Sequence, residues 1–171
     1  ALGKLDIHEF LNFALQPLAS NDAEMLKSLH REFMEKHIKP IMTRRGMDLI
    51  AKHRREGDHP VIITATNSFV TGPIAQAFGV HNLIATEPEI VEGEYTGKVK
   101  GIPCFQQGKI ERLHAWLDET KIEFNNSWFY SDSHNDLPLL EEVAHPIAVD
   151  PDDQLRAIAS ERGWQITSFR S

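Results

Sequence analysis

Apolar residues in the first third of the chain recur at helical spacing. Leu5, Ile7, Phe10, Leu11, Phe13, Ala14 and Leu15 mark a short amphipathic helix over 5–18, with Asp6 as its N-cap and Pro17 near its end. Asn21-Asp22-Ala23-Glu24 has the form of a capping box with Asn21 in the cap. Met25, Leu26, Leu29, Phe33, Met34 and Ile38 then form an apolar stripe opposite Lys27, Arg31, Glu32 and Glu35, which predicts a second helix ending before Pro40. A third is expected over 40–56, with Ile41, Met47, Leu49 and Ile50 inward and Gly57 as the stop. Its Lys52-His53-Arg54-Arg55 run reads as a solvated face at a helix C-terminus, where cations complement the dipole.

At Pro60 the period changes. Pro60-Val61-Ile62-Ile63-Thr64-Ala65 is a continuous apolar run of the kind found in strands buried on both faces. Helix is expected again over 68–78, closed by Gly79, then a strand over 82–86 and a small hairpin over 88–98 that alternates around Gly93. Gly108 to Lys121 reads as helix, with Ile110, Leu113, Trp116 and Leu117 on one face. Strands over 127–131, 146–149 and 164–167 enclose a helix over 152–162. From residue 60 onward, strands alternate with helices. That order predicts an α/β fold with a Rossmann-like parallel sheet and helices on both faces, preceded by a partial helical cap over 1–40; the core is then 41–171. Trp116, Trp128 and Trp164 fall on apolar faces and are expected in the core.

Composition narrows the function classes. A net charge of −7 with no block of like charge argues against a nucleic-acid or acidic-membrane footprint. An anionic ligand would therefore need a locally positive pocket. Cys104 is the sole cysteine, so no internal disulfide forms; it reads as a small buried hydrophobe. No apolar run reaches the ~18 residues of a membrane span and no signal-peptide pattern opens the chain, which is read as cytoplasmic. The first residue is Ala1 rather than Met, as in a processed or truncated chain. Oligomeric state is not legible.

Three stretches carry candidate chemistry. Asp132 and Asp136 follow the aromatic strand residues Trp128, Phe129 and Tyr130, so two carboxylates stand at the carboxyl end of a strand, where open α/β sheets bind ligands. Such a hard oxygen cluster suits Mg²⁺. The plainer alternative is an Asx turn at Asp132 and a helix cap at Asn135 or Asp136. Thr64, Ala65, Thr66 and Asn67 lie between a strand and a helix, where a hydroxyl and open backbone N–H groups make an anion site; alternatively Thr66 or Ser68 is merely the cap. Lys109 stands in the first turn of its helix, against the dipole, at a cost that a partner would offset; the alternative is an exposed lysine. Read together, the three supply donors, a fixed cation and a metal site, which is equipment for a phosphoryl group. The nine histidines show no metal-ligand spacing, although His134 lies beside Asp132.

With these residues in view, the sequence resembles the haloacid dehalogenase-like phosphohydrolases, in the branch with a helical cap that includes phosphoserine phosphatase-like proteins. Val61 to Phe69 resembles the second family motif, Gly108 to Leu113 the third, and Tyr130-Ser131-Asp132-Ser133-His134-Asn135-Asp136-Leu137-Pro138-Leu139-Leu140 the fourth. Thr86-Glu87-Pro88-Glu89, Tyr95-Thr96-Gly97 and Arg162-Gly163-Trp164 also look like this branch. The resemblance implies an Mg²⁺-dependent phosphomonoester hydrolase working through an aspartyl-phosphate on a small phosphorylated metabolite. By it, Thr64 binds the transferring phosphoryl group with Ala65, Thr66 and Asn67, and Lys109 neutralises charge. Asp132 ligates the metal, while Asn135 and Asp136 orient the phosphate and the metal's waters.

One departure is plain. The family's first motif, Asp-x-Asp-x-Thr after an N-terminal strand, supplies the nucleophile and is absent from these residues. The single Asp-x-Asp, Asp150-Pro151-Asp152, follows the fourth motif, lacks the Thr and reads as a turn and helix cap. The expectation is a chain that begins inside its cap and lacks the family's mid-sheet first strand, through truncation rather than natural loss. The alternative class is a catalytically silent module that binds phosphate ligands without turnover. A nicotinamide-binding domain is disfavoured, because no Gly-x-Gly-x-x-Gly follows a strand, and no Walker-type loop is present.

Overall fold

The computed structural model describes residues 7–170, the side chain of His8 excepted. It divides into two compact units, Ala1–Met42 with Met47–Phe105, and Thr43–Gly46 with Gln106–Ser171. These units are drawn differently from the cap-and-core division expected at residue 40.

The first unit opens with α1 (Ile7–Ser20) and α2 (Ala23–Phe33). Leu11, Leu15 and Leu18 of α1 are buried, whereas Phe10 and Phe13 face solvent, Phe13 at 80% exposure. The expected cap Asp6 and the apolar Leu5 lie outside the described residues. Pro17 is tolerated inside α1, and its carbonyl, near the helix end, accepts the Asn21 side-chain amide at 2.8 Å. Asn21 is thus not the N-cap of α2. Asp22 takes that position, its carboxylate accepting Met25 N–H at 2.8 Å, because the chain is extended at residue 22. Nor does helix stop cleanly before Pro40. A π-helical turn (Met34–Ile38) and a 3₁₀ turn (Lys39–Ile41) absorb the proline, which has no N–H to continue an α ladder. In α3 (Arg44–Arg55) Leu49 and Ile50 are half-buried, but Met47 is exposed, as is Ile41 just before the helix, both contrary to expectation.

Next come β1 (Val61–Asn67), α4 (Ser68–Ala77), β2 (Asn82–Val91) and β3 (Glu94–Lys100). β1 and β2 are parallel from Val61↔Asn82 to Thr64↔Ala85, and the far half of β2 turns back antiparallel onto β3 as the anticipated hairpin. Leu15, Leu18 and Leu26 pack with Phe69, Tyr95 and Val99, so the helices α1 and α2 bury their apolar side against the hairpin and the start of α4. His30 of α2 adds a hydrogen-bond contact to the Val70 carbonyl at 3.0 Å.

The second unit contains α5 (Gln107–Thr120), β4 (Trp128–Ser131), a 3₁₀ turn (His134–Asp136), α6 (Leu137–Leu140), β5 (His145–Val149), α7 (Asp153–Arg162) and β6 (Gln165–Thr167). β4, β5 and β6 are parallel neighbours in that order. Leu140, Ala148, Leu155 and Ala159 form a fully buried cluster, with Phe129 and Trp164 against it. α7 closes at Gly163, whose φ of +69° is the left-handed conformation that lets Trp164 N–H reach the Ala159 carbonyl at 2.8 Å.

The expected elements are therefore present in an α/β arrangement of parallel strands flanked by helices, with one correction. The five parallel strands do not form a single ladder. They belong to two three-stranded sheets, β1-β2-β3 and β4-β5-β6. β1 pairs only with β2 and β4 only with β5, since no other described strand supplies a second ladder. This explains two further departures: Val61 to Ile63 are half-buried rather than buried on both faces, and Trp128 is 41% exposed, stacked on His145, rather than in the core.

Candidate active site

Lys109, in the first turn of α5, is 7% exposed although charged. Its partner is Asp136, whose Oδ1 lies 2.5 Å from Lys109 Nζ; the two side chains are 9% and 13% exposed. Asp136 Oδ2 accepts the Ser131 hydroxyl at 2.7 Å. Both carboxylate oxygens are thus engaged, and the cost of a cation at a helix N-terminus is offset by a carboxylate anchored at the end of β4. Ser131 is itself buried, and its Oγ also accepts Ser133 N–H at 3.2 Å, which folds the chain over at the strand end.

Asp132 is exposed, and among the described residues no hydrogen bond or ion pair reaches its carboxylate. Asn135 is half-buried and held from two sides, by Ser133 Oγ at 3.2 Å and by the Gln106 amide, which donates to Asn135 Oδ1 at 3.3 Å. Gln106 is the residue before α5 and has a φ of +46°, an uncommon conformation for a side-chain-bearing residue. Ser133 caps the 3₁₀ turn, whereas Asp136 stands at the N-cap position of α6, as in the plainer reading, but its side chain makes no capping hydrogen bond.

Asp152 also belongs to this neighbourhood. It caps α7 through Leu155 N–H at 2.7 Å, as expected for a turn and cap. Its Oδ2 additionally accepts His134 N–H at 2.8 Å, lies 2.9 Å from His134 Nδ1, and its own N–H donates to the Asp132 carbonyl at 2.8 Å. Burial pushes this carboxyl up, but the hydrogen bonds from Leu155 and His134 outweigh it and hold the pKa at about 2.

In the first unit, Thr64 to Asn67 are the last four residues of β1, which runs directly into α4. The β1–β2 register slips between Thr64 and Asn67, because Thr86 Oγ1 donates to the Ala65 carbonyl at 2.8 Å in place of a regular ladder. Thr66 N–H donates to Thr64 Oγ1 at 3.2 Å, leaving the Thr64 hydroxyl hydrogen to serve another acceptor. Asn67, rather than Thr66 or Ser68, is the N-cap of α4, accepting Val70 N–H at 3.1 Å. The Thr66 and Val70 N–H groups are thus already engaged within this segment.

The donor set on the Asp132 loop fits Mg²⁺, which takes one or two carboxylates and completes its shell with water and phosphate oxygens. Asp132 offers open oxygens, whereas Asp136 is committed to Lys109 and Ser131. Among the described residues, the one group of three His, Asp or Glu ligand atoms close together is elsewhere: His53, Glu56 and Asp58 at the end of α3. Of the residues in this neighbourhood, Ser131 stands in the fourth motif with no role assigned to it, Asp152 was expected only as a turn and helix cap, and Gln106 was not singled out. Ser131 could have been found from its place beside Asp132; Gln106 carries no sequence signal.

The chain belongs to the haloacid dehalogenase-like hydrolase family, whose model matches residues 1–141. It is 42% identical over 98% of its length to a histidinol-phosphatase of Neisseria meningitidis, spanning 78% of that protein. It is 33% identical over 72% of its length to a phosphoserine phosphatase of Mycobacterium tuberculosis, of which it spans 40%. The chain also spans about half, 51%, of an uncharacterised protein from the same organism. Among solved structures, a protein of unknown function from Bordetella pertussis matches with a TM-score of 0.93 at 45% identity, over 96% of this chain and 75% of that one. A substrate-bound phosphoserine phosphatase shares the fold, with a TM-score of 0.66 at 20% identity over 98% of this chain and 74% of that one. The family resemblance drawn from the motifs is borne out.

Proposed function

We propose that the protein is an Mg²⁺-dependent phosphomonoesterase acting through an aspartyl-phosphate, whose attacking aspartate lies outside these 171 residues. The observation that carries this reading is the buried Lys109 paired with Asp136, whose other carboxylate oxygen accepts the Ser131 hydroxyl. A buried lysine fixed by a carboxylate at a strand end is preorganised to stabilise negative charge, and preorganised charge is what phosphoryl transfer draws on most. The relatives' names point to a small phosphorylated metabolite as substrate. No helix among the described residues is long and apolar enough to cross a membrane.

In this reading the Thr64 hydroxyl and N–H groups at the junction of β1 with α4 donate to oxygens of the phosphoryl group. Lys109 neutralises charge on the nucleophile and the phosphate, and Asp136 keeps its ammonium in place. Asp132 would hold Mg²⁺, which supplies Lewis-acid stabilisation of phosphoryl oxygens when bound. Asn135, fixed by Gln106 and Ser133, orients the phosphate. The residues over 1–40, together with the β2–β3 hairpin, form the cap that shapes substrate choice. Within residues 1–171 no Asp-x-Asp-x-Thr provides an attacker, and Asp136 is occupied by its ion pair.

The test is turnover of an aryl phosphate by the full-length protein. Activity is expected to require Mg²⁺, to disappear with a chelator, and to fall at least about 100-fold in Asp132→Asn. Phosphate binding without turnover by the full-length protein would instead establish a silent binding module.

A further inference from the structure

Asp152 does more than cap a helix. Its carboxylate divides its work: Oδ1 accepts Leu155 N–H at 2.7 Å, and Oδ2 accepts His134 N–H at 2.8 Å while lying 2.9 Å from His134 Nδ1. Its N–H donates to the Asp132 carbonyl at 2.8 Å. Three of these contacts are therefore spent on the loop, on Asp132 itself and on the residue two places beyond it. From the other side the same loop is tied to Ser131 Oγ by Ser133 N–H and by Asp136 Oδ2. The peptide on both sides of Asp132 is held while its side chain, alone among the loop's carboxylates, has no protein partner among the described residues.

We propose that Asp152 is a positioning residue for the Asp132 loop, clamping it from α7 so that the Asp132 carboxylate is preorganised for a divalent cation. This rests on the phosphatase reading above. A capping role alone needs one acceptor, aimed at the N–H groups of α7, and Ser133 already caps the 3₁₀ turn through Asn135 N–H. The second oxygen and the N–H serve the loop. Residues that orient a metal ligand without touching the ion commonly affect metal affinity by about 10–100-fold.

The variant that separates the two roles is Asp152→Ser, since serine remains a good N-cap for α7 but has no second oxygen for His134. Mn²⁺ binding to the full-length protein, followed by electron paramagnetic resonance without substrate, reads the metal site apart from turnover. The expected result is a dissociation constant about 10-fold or more above wild type, with the activating Mg²⁺ midpoint rising in parallel and the KM for aryl phosphate nearly unchanged. Asp22→Ser, at the N-cap of α2, controls for capping and should leave Mn²⁺ affinity as in wild type. Asp152→Asn, which presents an amide toward His134, should weaken Mn²⁺ binding in the same way and serves if the serine variant does not fold. Mn²⁺ affinity within twofold of wild type in a folded Asp152 variant would overturn the proposal while sparing the phosphatase reading. A wild-type full-length protein that binds no Mn²⁺ would overturn both.

Discussion

Lys109 is the residue where sequence and structure meet most directly. A lysine in a first helical turn is unfavourable by itself, and the partner implied by that placement is Asp136, 27 positions away. The motif over 130–140 was legible because its residues are contiguous and sit where a strand ends. Gln106 and Asp152 were not, because their contacts with the loop cross 29 and 18 positions and leave no local pattern. The ion pair makes a separable prediction. With both side chains nearly buried, Lys109→Met leaves Asp136 without its cation and should destabilise the fold by about 3 kcal/mol in urea denaturation. Adding Asp136→Asn should recover part of that loss, because the stranded charge is removed with it. Simple additivity of the two substitutions would show that the pair is not coupled.

Among the elements, the sheet strands and most helices followed from period and punctuation, while their ends and burial depended on partners the pattern cannot name. Asn21 and Asp22 are both good caps, and only the backbone conformation at residue 22 chose between them. Phe13 and Met47 have the spacing of core residues yet face solvent, since helical periodicity shows which residues share a face and not how wide the covering layer is. Thr86 shows how one buried polar side chain shapes an element. Fully buried, it donates to the Ala65 carbonyl and accepts Cys104 N–H at 3.0 Å, setting the irregular Thr64–Asn67 end of β1. Thr86→Val would strand both groups and should cost about 2 kcal/mol, more than Thr86→Ser, which keeps the hydroxyl. Equal midpoints for the two variants in urea would show that the hydroxyl does not stabilise this end of β1.

For the whole molecule, the α/β class was readable from the alternation of strands and helices, but the ladder between strands was not. Alternation predicts parallel pairing within each crossover, as β1 with β2 and β4 with β5, yet it cannot supply the strand that would continue a sheet past β1 or β4. The proposed chemistry has the same gap, since the second, third and fourth motifs are represented and the attacking carboxylate is not. The most direct test is to locate that carboxylate. The full-length protein would be incubated with Mg²⁺ and an aryl phosphate, then treated with borohydride, which reduces a phospho-aspartate to homoserine that peptide mass spectrometry can place. One homoserine at an aspartate outside residues 1–171 is the predicted result. A homoserine within these residues, or none despite turnover, would contradict the account.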